Sequence, residues 1–514
     1  MRKSESPSRR RVLIVMCFAL GTVVSAVSSL NVALPSVARD THASQTELQW
    51  VIDAYALVFA AFLLPAGAVG DRYGRRRILL GGLVLFGAAS AVAMLLRTPG
   101  GLIAVRAILG LGAALIMPAT LSIITTTFPR DQRAGAVSIW AGVAGGSAVL
   151  GLLVSGTLLE WFSWQSVFGL NVVLAAIAAV GTFVVVPARQ GQSSARLDPI
   201  GGLLAAAALG SLIYAVIEGP DLGWTDPATL TGFALAVVLF PAFVLWELRA
   251  ANPMLDPRLF RERRFGAGTL SITLQFFAFF GFVFLGLQYL QLVRGDSPLV
   301  AALSLVPMAL GIIAMSRLSP RLVERAGQTS IAVFGLLAMA AGMGLLSLAD
   351  VGSSYWVLLA GLVPLGIGMG LCTAPATDAI VESVGEEKQG VASAVNDAAR
   401  EVGGALGIAV LGSVLNDQYR SGVSVATRML PDRLAHSVEK SLGLTLQLAG
   451  GGQPQLRSLA NTARLAWVDG FGTALAIGAV MLAVSAVVIG LLLRGRSRRP
   501  SGGVLGSMTA LPLP

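Results

Sequence analysis

Residues 12 to 38 hold no charged side chain, and apolar stretches of this kind recur along the whole chain. A helix needs about 20 such residues to cross roughly 30 Å of hydrocarbon, at about 1.5 Å per residue. Runs of that length occur near 12 to 37, 48 to 69, 78 to 96, 101 to 126, 134 to 159 and 165 to 187. A pair follows near 199 to 217 and 228 to 246, then six more near 265 to 288, 298 to 316, 329 to 348, 354 to 376, 391 to 415 and 467 to 493. The pattern predicts an all-α polytopic membrane protein: two six-helix bundles joined by an inserted two-helix hairpin, fourteen transmembrane helices in all. With 55% hydrophobic and 12% charged residues, the composition is far from that of a soluble domain. Glycines inside the runs, as in Gly366-x-x-x-Gly370 and Gly403-x-x-x-Gly407, suit helices that pack closely in lipid.

The net charge of +10 is a topology signal rather than a sign of nucleic acid. With fourteen spans, the basic residues of the N-terminus, Arg72 to Arg77, Arg130, Arg133, Arg189, Arg196, Arg249 to Arg264, Arg317, Arg321, Arg325, Lys388 and the tail after 493 all share one side. Short loops on the other side hold only Arg39, Arg97 and Arg294, so both termini are expected in the cytoplasm. The predicted divisions are a basic N-terminus at 1–11, a first bundle at 12–187, the hairpin and linker at 188–264, a second bundle at 265–493 and a cytoplasmic tail at 494–514. Within the second bundle, 417–466 is too polar to span and reads either as an external amphipathic cap or as a linker. The first apolar run is too long for a signal peptide and is expected to remain as a helix. Lysine-poor, arginine-rich usage points to a bacterial plasma membrane.

Cys17 and Cys372 fall within spans and read as packing residues, and His42 and His436 lie in external segments. Neither a metal cluster nor a phosphate-binding glycine loop is legible, so no cofactor, no ATP-driven step and no enzyme activity is expected.

Ionisable groups inside spans carry the chemistry, because each is costly in hydrocarbon unless it meets water or a partner. Ser44-x-x-Glu47 is a capping box that starts the second helix and places Asp53 about 13 Å along it. Arg106, some six residues into the fourth helix, sits at comparable depth. One reading makes Asp53 a proton carrier tuned by Arg106; the other makes the two a fixed ion pair, or lets Asp53 reach the headgroups. Trp50 and Tyr55 line a cavity or form an interfacial belt. A second polar turn, Asn396-Asp397-x-x-Arg400-Glu401, is either a solvated helix end or a second proton site.

The turn Gly67-Ala-Val-Gly-Asp71-Arg72-Tyr-Gly74-Arg75-Arg76-Arg77 sets one carboxylate among four arginines, with glycines that allow close approach by another helix. A latch closing the cytoplasmic side is its expected role, with a mere topology anchor as the alternative. The turn resembles the loop signature of the major facilitator superfamily. Arg106 to Ala114, Trp50-Val-Ile-Asp53-Ala-Tyr55, Phe162 to Asn171, Ile217-Glu218-Gly219-Pro220 and Ser393 to Asp397 are similar to the fourteen-helix drug:proton antiporters. Two positions depart from that family: Ala26 replaces a first-helix carboxylate, and Leu152 follows Gly151 where a proline is common.

The resemblance implies proton-coupled export of hydrophobic, drug-like compounds by a monomer, with small molecules, protons and lipid as its partners. The substrate would sit between the bundles, among side chains such as Asn31, Met117, Gln275 and Phe279. A dedicated exporter of a natural product, lipid or siderophore, a proton-symporting importer and a non-transporting membrane scaffold are the alternatives.

Overall fold

The structure is a computed structural model; it describes residues 7–187, 198–251, 253–384, 389–428, 430–449 and 454–493. Among these residues, fourteen helical spans are long and apolar enough to cross a bilayer. The first bundle comprises α1 (Pro7–Thr41), α2 (Gln45–Tyr73), α3 (Arg75–Ala93), α4 (Pro99–Thr127), α5 (Arg130–Trp161) and α6 (Gln165–Val185). The inserted pair is α7 (Pro199–Leu222) and α8 (Pro227–Arg249). The second bundle comprises α9 (Arg263–Gln288), the bipartite span α10 (Pro298–Ser304) and α11 (Val306–Ala326), α12 (Gln328–Leu346), α13 (Tyr355–Val381), α14 (Gln389–Thr427) and α17 (Pro454–Leu493). Short helices α15 (Asp432–Lys440) and α16 (Leu442–Ala449) stand between α14 and α17.

Successive spans reverse direction, so the start of α1 and the α2–α3 turn share one face, called here the basic face. The α1–α2 turn lies on the far face.

Local chemistry sets the helix ends. Ser44 Oγ accepts from Glu47 N and Glu47 Oε2 accepts from Ser44 N, which completes the capping box at the start of α2. Thr98, Asp198 and Asp226 cap α4, α7 and α8, each just before a proline. Gly74, at φ 102°, makes the turn from α2 into α3 that a residue with a Cβ adopts only under strain.

In the first bundle α1 packs on α4, α5 and α6, while α4 also packs on α2 and α3. In the second, α9 packs on α13, α14 and α17, and α12 on α13 and α17. Glycines permit these contacts: the ideal Cβ of Gly112 would lie 3.2 Å from Phe86 N, and that of Gly281 3.0 Å from Gly407 O. A 3-10 turn at Pro257–Arg261 precedes α9, where Leu255 and Leu259 pack against a cluster of Phe265, Ile272 and Ile380.

Residues 417–466 are mostly helix. α14 continues to Thr427 and α17 begins at Pro454, so the connection is shorter than the hydropathy suggests. Tyr419 Oη donates to Val438 O at 2.8 Å and Thr427 Oγ1 to Glu439 Oε1 at 2.7 Å, which ties α15 down onto α14.

Candidate functional site

Asp53 is fully buried on α2, and neither carboxylate oxygen has a hydrogen-bond partner. Arg106, also buried, lies on neighbouring α4 within electrostatic reach of it. The guanidinium is spent elsewhere: Nε donates to Val51 O at 2.8 Å, and its carbon stands 4.2 Å from the centre of the Tyr55 ring. Arg106 Nη2 and the Tyr55 hydroxyl also lack partners. No ion pair joins Asp53 to Arg106 among the described residues, so the fixed pair open on sequence grounds is not formed here. Close packing makes the arrangement possible, because a Cβ on Gly110 of α4 would meet the α2 backbone at Tyr55 and Phe59.

The bundles meet on the far face. Gln49 Nε2 on α2 donates to Ile408 O (3.2 Å) and Ala409 O (3.1 Å) of α14, and Asn416 Nδ2 donates to Thr46 Oγ1 at 3.1 Å. Gln291 Nε2 donates to Val32 O at 3.0 Å, and Leu299 N to Glu160 Oε1 at 3.2 Å. Among the described residues no hydrogen bond crosses between the bundles in the half nearer the basic face. There an added Cβ on Gly142, Gly145 or Gly146 of α5 would find nothing within 4 Å. The interface is therefore shut on the far face and parted toward the basic face.

The basic turn is tied to helices of the first bundle. Arg75 Nη1 donates to Ser122 O of α4 at 3.0 Å, and Arg76 Nη2 donates to Phe183 O of α6 at 2.6 Å. Arg72 lies 5.4 Å from the Tyr73 ring centre. The Asp71 side chain lies outside the described residues. Gly67 meets another helix at ordinary contact, 3.8 Å from Pro118 Cβ, and Gly74 takes the positive φ of the turn.

On α14, Arg400 stacks 5.3 Å from the Phe276 ring centre, and its Nε has no partner. No ion pair joins it to Asp397 or Glu401 among the described residues, although the spacing allows one. All three are partly exposed in the parted half of the interface. Beside them Thr377 Oγ1 donates to Asn396 Oδ1, and Thr373 Oγ1 to Gln275 Oε1, at 3.1 and 2.8 Å.

The side chains expected to line a cavity divide. Met117 and Phe279 are partly exposed. Asn31, Tyr55 and Gln275 are buried; Asn31 donates to Val27 O and Gln275 to Ser271 Oγ, so in this state they offer no open surface. Trp50 turns toward α7, with Nε1 donating to Glu218 Oε1 at 2.8 Å and its ring 6.4 Å from that of Tyr214.

At the two departures from the family pattern, Ala26 is buried in the core, and α5 runs without an interior proline. Ser155 Oγ donates to Ser29 O at 2.8 Å, and a Cβ on Gly151 would lie 2.7 Å from Ser25 O, so α5 lies close along α1. Gln49, Glu218, Asp221 and Asn416 escaped sequence reasoning as site residues; the only signal was the Ile217 to Pro220 segment, which carried no assigned role.

Residues 14–408 match the model of the Major Facilitator Superfamily. The chain belongs to this superfamily. The multidrug resistance protein Stp of Mycobacterium tuberculosis is 35% identical over 411 residues, 79% of this chain and 76% of that protein. The multidrug efflux pump LfrA of Mycolicibacterium smegmatis is 32% identical, covering 96% of this chain and 98% of its own length. The superfamily fold is also that of a bacterial homologue of the human lysosomal transporter Spinster, solved inward-facing and unoccupied. The TM-score is 0.68 at 16% identity, over 95% of this chain and 98% of that one. This superfamily member is a transporter, not an enzyme.

Proposed function

We propose that the chain is a proton-coupled antiporter that exports hydrophobic, drug-like compounds across a bacterial plasma membrane as a monomer. Its termini and basic turn face the cytoplasm, so the parted half of the interface opens inward and the far face is the outer one. Relatives named for multidrug resistance and efflux supply the substrate class.

The observation that carries the reading is Asp53, an acid buried in a spanning helix without a hydrogen-bond partner and within electrostatic reach of Arg106. Asp53 takes a proton when the outer side is open and releases it inward. Substrate enters from the cytoplasm between the bundles, near Met117, Phe279 and the Asp397–Arg400–Glu401 turn. Binding energy shifts the equilibrium only as far as the substrate prefers one state over the other. Residues 12–187 and 265–493 move as the two bundles, and the arginines of the basic turn engage the second bundle when the inner side shuts.

Adding ethidium, a lipophilic aromatic cation, to detergent-solubilised protein in weak buffer tests the exchange. Protons are expected to appear on binding to the parent and not to Asp53→Asn. Ethidium binding without proton release from the parent would refute the coupling.

A further inference from the structure

The inserted helix α7 lies in the groove between α2 and α14, one helix from each bundle, over an apolar cluster of Ala56, Leu209, Ile213, Ile217, Ala405 and Ala409. Its polar attachments at the far face are unequal. Toward α14, Ser413 Oγ donates to Val216 O at 2.7 Å, Asn416 Nδ2 donates to Asp221 Oδ1 at 3.3 Å, and Arg420 pairs with Asp221. Trp224, just past the end of α7, adds a bond to Asp417 at 3.3 Å. Toward α2, among the described residues, there is one bond, Trp50 Nε1 to Glu218 Oε1.

The face of α2 so covered is the one that bears the acid. Trp50, Asp53 and Leu57 repeat at i, i+3 and i+7 and so lie on one side of the helix. Leu57 Cδ2 stands 3.5 Å from the position of a Cβ on Gly210 of α7. Asp53 therefore lies along the α7-facing stripe, about one turn deeper than Trp50. Lower down, α7 rests on α2 through apolar contact, with Pro65 Cγ 3.4 Å from a Cβ on Gly202. Such contacts slide more readily than directional hydrogen bonds break. Opening the outer side must separate α2 from α14, and α7 cannot keep both partners there.

We infer that the outer end of α7 stays with α14 when the bundles part, and that Trp50–Glu218 is the releasable bond whose breaking uncovers the Asp53 face of α2. Glu218 is then a positioning residue for the coupling acid, and the inserted pair is a seal rather than a spacer. The charged groups around Glu218 are Glu47 on α2, Asp221 on α7 itself, and Asp417 and Arg420 on α14. The inference rests on the alternating-access reading above.

Two cysteine pairs separate the alternatives, each joined by a short bis-methanethiosulfonate linker that reductant cleaves. Linking Val216→Cys to Ser413→Cys is expected to leave ethidium transport within about twofold of the unlinked protein. Linking Trp50→Cys to Glu218→Cys should abolish transport, with recovery on reduction. Loss with the first link, or survival with the second, overturns the inference.

A second measurement needs no transport. Asp53→Cys, in a protein whose Cys17 and Cys372 are replaced by serine, is probed from outside with a membrane-impermeant cationic thiosulfonate. Glu218→Leu should raise the labelling rate at least tenfold, while Glu218→Gln, which still accepts from Trp50, should not. Equal rates in the two backgrounds contradict the seal. If the unlinked parent moves no ethidium, the transport reading itself has failed, and the labelling rates still decide the role of Glu218.

Discussion

Asp53 sits between residues that keep its neighbours occupied. Val51 O and the Tyr55 ring hold the Arg106 guanidinium, so the arginine lends charge to the site without closing an ion pair. A lysine cannot reproduce the planar fork that makes both contacts at once. Arg106→Lys is expected to lower stability by about 1–3 kcal/mol, the range for leaving a buried hydrogen-bonding group such as Val51 O without its partner, and to slow transport. A detergent melting curve alongside an ethidium efflux assay checks both; an unchanged Tm would show that the contacts to Val51 and Tyr55 do not matter. At the basic turn, Gly74→Ala forces a Cβ into φ 102° and should cost about 1–3 kcal/mol, again read as a lower Tm. The burial of Asp53 could be foreseen from its distance past the Ser44 cap, because helix rise converts position into depth. The partner of Arg106 could not, because side-chain geometry decides between a carboxylate, a carbonyl and an aromatic face at similar reach.

At the scale of elements, close glycine contacts set how near the helices lie. Gly151 brings α5 against Ser25 of α1, and Gly156 brings it to 3.0 Å from the Leu299 Cα of α10, each distance measured from an ideal Cβ. Gly151→Val should therefore overpack the α1–α5 contact and destabilise the protein by about 1–3 kcal/mol, whereas Gly142→Val, in open space, should be nearly neutral. Equal melting temperatures for the two variants would contradict the packing. The spans themselves were legible because hydrocarbon thickness imposes a length that polar loops interrupt. The continuation of α14 to Thr427 and the early start of α17 at Pro454 were not, since beyond the bilayer a helix is free to be polar and loses the hydropathy signal. Trp50 and Glu218 stand 168 positions apart, and their bond is a product of tertiary packing that local spacing does not report.

At the scale of the molecule, the polar bonds between bundles gather on the far face, while the other half of the interface stands parted. Such a molecule works by exchanging which half is closed, and the exchange transports substrate only if something ties it to the proton gradient. In the proposed cycle that tie is Asp53. The direct measurement is ethidium flux in proteoliposomes for the parent and Asp53→Asn, run once under an imposed pH gradient and once as counterflow without one. The variant is expected to lose gradient-driven flux, to the level of protein-free liposomes, and to keep counterflow. Gradient-driven flux in Asp53→Asn equal to that of the parent would contradict the coupling role of Asp53.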